Sequence, residues 1–233
     1  MSQHEYKSAL IVGAGSGLSA ALARAFTKDG IKVALAARDA GKLDALAKET
    51  NAKAYSCDAS QRGDVDKLFA DLDRDFGAPE IVVYNASFRI RGPFADLDPD
   101  GVAKSIAISA FGGFLVAQQA VKRMLPNKRG IVLLTGASAG VKGYPESAPF
   151  AMGKFALRGM AQSMARELHP MGIHVAHVVV DGGIKSERRV EPADKPESML
   201  DPTDIAETYM HLIRQPLNAW SWEIEVRPWT EKF

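Results

Sequence analysis

The sequence predicts an α/β fold in which a doubly wound, mostly parallel sheet of seven strands carries helices on both faces. Three observations predict it. Seven short apolar runs, many of them β-branched, are spaced along the 233 residues, as is typical of strands buried on both faces. Between them lie segments whose apolar residues recur every three or four positions, which indicates helices. The connections are short, so right-handed crossovers and a parallel sheet follow.

The strands and helices alternate along the whole chain. Segments 18–30 and 64–77 are two of the predicted helices, and each ends at a glycine, which favours a helix end. Two later helices are longer, at about 99–125 and 147–168. Segment 185–200 is charged and contains two prolines, which indicates a mobile lid after a strand end or an ordinary solvated loop. The predicted strands are 8–12, 31–36, 52–57, 81–84, 130–134, 174–180 and 222–226.

The composition excludes several classes of protein. Lys and Arg total 29 and Asp and Glu total 28, so a net charge of +1 provides no basic field for nucleic acid. Hydrophobic residues make up 46%, and residues 1–233 are expected to form a single domain. The one cysteine, Cys57, excludes an intramolecular disulfide and fits a cytoplasmic protein. We expect no membrane segment, because no stretch approaches ~18 apolar residues. We expect no metal, because the histidines lack ligand spacing with acidic residues.

A glycine-rich turn joins the first predicted strand to the first helix. Residues 13–19 read G-A-G-S-G-L-S. Glycine lets backbone N–H groups approach a pyrophosphate closely, and the N-terminus of the following helix adds unpaired donors and a positive dipole end. The turn lies at the first strand–helix junction of a doubly wound pattern, where dinucleotides bind. The sequence therefore predicts a dinucleotide site, with a simple tight turn as the alternative.

The spacing of Gly13 and Gly17 resembles the T-G-x-x-x-G-x-G turn of the short-chain dehydrogenase/reductase family. Val12 stands where that family has threonine, and Ser19 stands at its last glycine. The resemblance extends over residues 9–226, essentially the whole chain. It implies a Rossmann-type fold and an NAD(P)-dependent oxidoreductase. The cofactor contacts that it implies in this turn are Gly13, Gly15, Ser16, Gly17 and Leu18.

The end of the second predicted strand indicates which dinucleotide is preferred. In the family, an aspartate at the position of Ala37 binds the ribose hydroxyls of NAD, and alanine supplies neither that carboxylate nor its repulsion of a phosphate. Arg38 follows, and a guanidinium suits a 2′-phosphate. The resemblance therefore implies NADP(H) in preference to NAD(H). The alternative is a solvated arginine at the start of a helix.

Three further segments resemble the family's cofactor contacts. Asp58 matches the adenine-contacting aspartate after the third strand, although an aspartate there also suits a helix or turn cap. Residues 84–87, Y-N-A-S, resemble the family's N-N-A-G at the end of the fourth strand. Residues 180–184, V-D-G-G-I, resemble its P-G-x-V/I turn beside the nicotinamide, with Asp181 replacing proline. The contacts implied here are Asp58, Ala59, Asn85, Ala86, Ser87, Gly182 and Ile184.

The catalytic positions of the family are only partly retained. In the family a tyrosine moves the proton, a lysine four residues later lowers its pKa and binds the ribose, a serine orients the carbonyl, and an asparagine completes a water relay. Lys154 fits the lysine, as a catalytic and a cofactor-binding residue. Phe150 stands at the tyrosine position, Ala137 at the serine position and Ser109 at the asparagine position. The resemblance thus implies a divergent member, in which Phe150 packs beside the nicotinamide where the phenol would have been.

Neighbouring polar groups are candidates to replace the missing proton donor. Ser138 lies one residue beyond the serine position, and Tyr144 lies in the loop before the helix. A lysine-bound water and a group of the substrate are the other candidates. Arg89 and Arg91 border the expected cleft, with Lys142 on another loop. They suit an anionic substrate or a polarised carbonyl, with solvated loop charges as the alternative.

Three functions remain open on the sequence. The first is an NADP(H)-dependent oxidoreductase that acts on a small carbonyl or alcohol substrate with a non-standard proton donor. The second is a catalytically inactive NADP(H)-binding protein, a sensor or an assembly partner, because fold does not fix function. The third is a lyase or isomerase that uses the bound cofactor structurally. The retained lysine and nicotinamide turn favour the first, and no specificity motif identifies the substrate.

The apolar surfaces indicate self-association. The helix after Ala148 is apolar on more than one face. By resemblance, the two long helices and the last strand are the surfaces through which the family forms dimers and tetramers. We therefore expect a homo-oligomer, and a fully covered core helix is the alternative.

Overall fold

Seven parallel strands form one sheet in the computed structural model, which describes residues 6–187 and 189–232. The strand order is β3-β2-β1-β4-β5-β6-β7, and each neighbouring pair is parallel. The order reverses between β1 and β4, so the carboxyl ends of these strands open a crevice there. This confirms the predicted doubly wound sheet. The strands are β1 (Ser8–Val12), β2 (Lys32–Ala37), β3 (Lys53–Ser56), β4 (Ile81–Tyr84), β5 (Gly130–Thr135), β6 (Ile173–Val180) and β7 (Glu223–Val226).

Helices cover both faces of the sheet. The helices are α1 (Leu18–Lys28), α2 (Asp44–Thr50), α3 (Arg62–Asp75), α4 (Pro99–Ile106), α5 (Gly112–Met124), α6 (Ala148–Leu168) and α7 (Pro202–Ile213). Side chains of α1, α2 and α7 form one buried apolar cluster with one face of the sheet. Side chains of α3, α5 and α6 form a second cluster with the other face. The central strands β1, β2, β4 and β5 alternate between the two clusters, which explains their apolar sequences.

The helix predicted at 99–125 is interrupted where it passes the site. Between α4 and α5, residues Ala107–Phe111 form a π-helical turn. Ser105 Oγ donates a hydrogen bond of 2.9 Å to Phe88 O, and Ser109 Oγ lies 3.4 Å from Phe88 N. These side chains tie the turn to the loop after β4. A single π turn of this kind is frequent at functional sites.

The same segment corrects the expectation about membrane helices. Residues 99–127 reach the length and mean hydropathy of a spanning helix, and 44% of the most apolar window is buried within the protein. The apolar residues include Leu115, Val116 and Ala117, which pack into the second cluster. A helix that packs its apolar residues against the sheet can therefore have the mean hydropathy of a membrane-spanning helix, which the sequence analysis did not expect of any segment.

The predicted boundaries are close to the observed ones. β1 and β4 have the predicted limits, and the other strands differ by one residue at one or both ends. Ile184 and Leu200 form an isolated parallel bridge, so the two ends of segment 185–200 lie side by side. Residue 188 of the predicted lid lies outside the described residues.

Candidate active site

The three glycines of the turn have different surroundings. Gly13 has a φ of +84°, and a Cβ there would lie 2.5 Å from Ala86 Cα. Glycine is therefore required for the close approach of β1 to the end of β4. At Gly15 and Gly17 a Cβ would meet no atom within 4 Å. These two glycines face open space above the N-terminus of α1.

Ser19 explains how the turn holds its shape without the family's last glycine. Its hydroxyl donates to Gly13 O at 3.1 Å and accepts a hydrogen bond of 2.8 Å from Asn85 Nδ2. Asn85 N in turn donates to Val12 O. Ser19 is buried. The residue that the sequence analysis treated as a departure therefore links the glycine turn to the end of β4.

A groove runs along the carboxyl ends of β1, β2, β3 and β4. Its volume is about 720 Å³. Most of the residues that the sequence assigned to a cofactor line it, which places the glycine turn, the ends of β2 and β3, and the loop after β4 around one space. Open glycines, a helix N-terminus and this length of groove fit a dinucleotide. The predicted residues that line the groove are Gly13, Gly15, Ser16, Arg38, Asp58, Ala59, Asn85, Ala86 and Ser87.

Arg38 follows β2 and Asp58 follows β3, so the carboxyl ends of these two strands carry opposite charges. Burial opposes the ionisation of Asp58, but hydrogen bonds from the hydroxyl and backbone N–H of Ser60 outweigh it and lower its pKa. Arg38 lowers the pKa further. Asp58 therefore stays ionised and acts as an acceptor within the groove. Its side chain also accepts hydrogen bonds within its own turn, which is the capping role that the sequence analysis raised as an alternative.

Other predicted cofactor residues lie outside this groove. Gly17 lines a neighbouring pocket of about 460 Å³ with Lys185 and Arg189. Leu18 is buried in the first turn of α1. Gly182 has a φ of +152°, and a Cβ there would lie 2.7 Å from Pro228 Cδ, so its first role is the close packing of the chain behind β6. Ile184 pairs with Leu200 at the start of segment 185–200.

Lys154 lies on α6 with its ammonium group against the end of β5. It is only 3% exposed, and its Nζ donates a hydrogen bond of 2.7 Å to Thr135 O. Burial lowers the pKa of Lys154 to about 8. An ammonium group has three donors, so two remain for other partners. A buried lysine with a lowered pKa is a candidate functional residue.

Phe150 lies one helical turn before Lys154, between two cations. Lys154 Nζ is 5.7 Å from the centroid of the phenyl ring, and the guanidinium carbon of Arg89 is 5.0 Å from it. Arg89 also reaches Ser147 Oγ at 3.4 Å. A half-buried apolar ring therefore separates Lys154 from an arginine that the sequence analysis placed only at the rim of the cleft. Both distances fall within the range of cation–π attraction.

The other positions near the lysine differ in what they offer. Ser109 is fully buried, and its hydroxyl bonds with the backbone of Phe88. Ala137 is extended and precedes a short helical turn, Ser138–Gly140. The hydroxyl of Ser138 forms no hydrogen bond with the described residues. Of these three positions, only Ser138 therefore has a polar side-chain group free to meet a substrate.

Tyr144 is held by a second lysine. The Lys142 ammonium lies 5.6 Å from the Tyr144 ring centroid, and its hydrogen bond with Tyr144 raises the pKa of Lys142. Lys142 also lies 3.6 Å from the buried carboxylate of Asp181, at the end of β6. These contacts place Tyr144 beside the turn that precedes Gly182. They connect it with Asp181, and no contact connects it with Lys154.

A buried histidine escaped the sequence analysis. His177 on β6 is fully buried, and its Nδ1 lies 2.9 Å from the carboxylate of Glu223 on β7, which also pairs with Arg158 at 2.7 Å. This pair was not evident from spacing in the sequence, because the register of β6 and β7 brings together residues that are 46 apart in the chain. Among residues 6–187 and 189–232, no group of three His, Cys, Asp or Glu side chains is arranged to hold a metal ion.

The sequence model of the short chain dehydrogenases matches residues 7–196. The chain belongs to this family. The family match covers the groove, Lys154 and the turn after β6. The protein is therefore an NAD(P)-dependent oxidoreductase of the short-chain dehydrogenase type.

Similar proteins agree with this assignment. An uncharacterised oxidoreductase of Staphylococcus aureus (strain N315) is 29% identical over 228 residues, which cover 95% of this chain and 97% of that protein. A short-chain dehydrogenase from Rhodopseudomonas palustris has a crystal structure with 30% identity and a TM-score of 0.83, covering 96% of this chain and 99% of its own. A metagenomic short-chain oxidoreductase in complex with NADP is 27% identical with a TM-score of 0.83, covering 95% and 97%.

Proposed function

We propose that this short-chain dehydrogenase interconverts a small carbonyl compound and its alcohol with NADP(H), by a proton route that uses no phenol at position 150. The observation that carries the proposal is the buried Lys154, which has a free pair of donors and a pKa lowered to about 8 beside Phe150. The protein retains the lysine in a position where an ammonium group is costly. The free-energy cost of burying the Lys154 ammonium group indicates that this residue has a function.

The groove supports the preference for NADP(H). Ala37 and Arg38 end β2 beside the space where an adenosine ribose would lie, and Lys42 lines the same space. A guanidinium binds a phosphate with two parallel hydrogen bonds, and the position of Ala37 has no carboxylate to repel it. The metagenomic relative in complex with NADP supports the same choice. Segment 185–200 borders the glycine turn across the neighbouring pocket, which suits a lid over the pyrophosphate.

Lys154 supplies the proton in this proposal. When bound, the dinucleotide supplies or accepts the hydride. One donor of Lys154 remains on Thr135 O, and a second would hold the ribose of the bound dinucleotide. The third would hold a water that gives a proton to the carbonyl oxygen during reduction and takes one from the ammonium group in its place. With a pKa of about 8, the ammonium is still protonated at neutral pH yet releases its proton more readily than an ordinary lysine. Phe150 excludes bulk water, and the free hydroxyl of Ser138 orients the carbonyl.

A two-step assay tests the proposal. Purified protein is titrated with NADPH by fluorescence, and NADPH consumption is then followed with a panel of aldehydes, ketones and oxo acids. We expect binding with turnover, and loss of turnover in Lys154→Met with at most a modest change in NADPH affinity. Binding without turnover on any substrate contradicts the oxidoreductase and favours the sensor or assembly partner. Absence of NADPH binding contradicts both.

Matched variants separate the candidate proton donors. Tyr144→Phe removes only the phenol in the loop, so it should leave kcat within about threefold if Lys154 acts. A loss comparable to that of Lys154→Met would assign the proton to Tyr144 instead. The double variant Phe150→Tyr with Ala137→Ser restores the family's side chains and should raise carbonyl reductase activity. A loss of activity in the double variant would mean that the phenyl ring is needed by this protein's own chemistry.

The proposed enzyme works as a cytoplasmic homo-oligomer, a dimer or tetramer. Apolar side chains on α5 and α6 remain exposed in the single chain, and two of them stack at 6.1 Å between ring centroids. A contiguous exposed apolar surface of this kind suits association with a second copy. Sedimentation of the purified protein tests this, and a monomer at micromolar concentration would contradict it. The exposed side chains are Phe111, Phe114, Met152 and Phe155.

A further inference from the structure

The arginines of this protein divide into two groups by whether a carboxylate neutralises them. Those on the outer faces of the helices generally pair with acidic side chains. Arg166 on α6 instead bonds to the backbone oxygen of Gln162. Examples of the paired group are Arg24 with Glu49, Arg62 with Asp66, Arg123 with Asp73, Arg158 with Glu223 and Arg214 with Asp29.

The second group has no carboxylate partner and lies at the carboxyl edge of the sheet. Arg38 belongs to the groove of the cofactor. Arg89 and Arg91 follow β4, and Arg189 follows β6. No acidic side chain of the described residues forms an ion pair with these arginines. Acidic residues are nevertheless nearby, since the backbone oxygen of Glu146 accepts a hydrogen bond from Gly92 N and Glu187 lies two residues before Arg189.

Arg89, Arg91 and Arg189 also act on one another. Burial, followed by the charges of Arg91 and Arg189, lowers the pKa of Arg89. Arg189 Nη1 lies 3.5 Å from the place of a Cβ on Gly183, so this guanidinium stands over the turn after β6. Gathering three like charges without a counter-charge costs free energy that a bound anion recovers. The cluster therefore has the electrostatics of an anion site.

The position of Arg89 determines how close that anion lies to the reacting carbon. Arg89 and Lys154 contact the same phenyl ring, with both cations within 6 Å of the centroid of Phe150. The two cations therefore lie no more than about 11 Å apart, and a substrate whose carbonyl oxygen reaches the water on Lys154 and whose anionic group reaches Arg89 has to fit within that span. A carboxylate directly beside the carbonyl meets that limit, and the planar guanidinium matches its two oxygens.

We infer that Arg89, Arg91 and Arg189 bind the carboxylate of the substrate, and that the substrate is a small 2-oxo acid or the corresponding 2-hydroxy acid. The inference rests on the proposed function and specifies its substrate class. Arg89 makes the direct contact, and the other two arginines supply the field. A pyrophosphate could instead occupy Arg189, because Arg189 and Gly17 line one pocket. The test below separates the two anions.

The experiment compares two substrates that differ only in charge. Benzoylformate and its methyl ester carry the same ketone, and each is assayed with the NADPH complex for kcat/KM and, by calorimetry, for binding. We expect wild type to prefer benzoylformate by about 30-fold, and Arg89→Gln to reduce that preference to within about threefold. NADPH affinity should stay unchanged in Arg89→Gln. Arg166→Gln, an unpaired arginine away from the cleft, is the matched control and should keep the preference.

The outcomes separate the inference from the proposed function. Equal use of acid and ester by wild type, or an undiminished preference in Arg89→Gln, overturns the inference and leaves the oxidoreductase intact. Arg89-dependent binding of benzoylformate without turnover supports the anion site and counts against the proposed function. A fall in NADPH affinity in Arg189→Gln, with the acid preference retained, assigns Arg189 to the cofactor and overturns its part in the inference.

Discussion

Replacing Lys154 by methionine should stabilise the protein while it removes the activity. Methionine has a similar length and no charge, so the substitution keeps the volume of the side chain in the core. A fall of the lysine pKa from 10.5 to about 8 corresponds to about 3 kcal/mol of unfavourable free energy for the buried ammonium at neutral pH. The lost hydrogen bond to Thr135 O is worth about 1–2 kcal/mol in the opposite direction. The net expectation is a gain of about 1–2 kcal/mol.

Urea unfolding at two pH values measures this effect. At pH 7 the variant should unfold at a higher urea concentration than wild type. The difference should shrink above about pH 8, because the unfolded wild-type chain then binds a proton that the folded protein has released, and wild-type stability rises with pH toward 10.5. Lys122→Met removes an exposed lysine on α5 and should change stability by at most about 0.5 kcal/mol. A Lys154→Met variant less stable than wild type by more than about 1 kcal/mol would refute the reasoning and make Lys154 a structural residue.

Three further perturbations test other parts of the site and fold. Gly13→Ala should lower the free energy of unfolding, measured in urea, by about 2–4 kcal/mol, because the added Cβ would clash with Ala86 at a positive φ. Gly15→Ala should keep the stability and weaken NADPH binding. Equal stabilities of the two variants would contradict this assignment. Arg38→Ala should weaken NADPH about 30-fold in a fluorescence titration and NADH by less than about threefold; parallel losses would refute the phosphate contact. Burial lowers the pKa of His174 to about 4, so this residue should make the free energy of unfolding fall by about 1.4 kcal/mol per pH unit from about pH 6.5 to 4. If His174→Gln has the same dependence of stability on pH as wild type, His174 is not the group responsible.

The fold follows from local patterns because those patterns reflect burial. β1 and β4 are central strands with fully apolar interiors, and both ends of each were predicted to the residue. The π turn between α4 and α5 was not predicted. Its apolar residues continue the helical period, and Ser105 and Ser109 hydrogen-bond with the backbone of Phe88, which lies elsewhere in the sequence. Local periodicity contains no information about such a partner.

The cofactor groove was predictable for a related reason. A doubly wound topology brings the carboxyl ends of its strands to one edge, so residues that follow strands, such as Arg38 and Asp58, fall into the same groove once the strands are identified. The arrangement around Phe150 was not predictable, because Arg89 and Phe150 come together from a loop and a helix that are about 60 residues apart in the chain. The pairing of His177 with Glu223 likewise depends on the register of β6 and β7.

The most direct test of catalysis without a phenol at position 150 is the pH dependence of NADPH oxidation by the wild-type protein with benzoylformate. We expect kcat/KM to be flat below about pH 8 and to fall about tenfold per pH unit above it, as Lys154 loses its proton. Product alcohol should form in equal amount to the NADPH consumed. NADPH that binds the protein and is oxidised by no carbonyl compound at any pH would contradict the account.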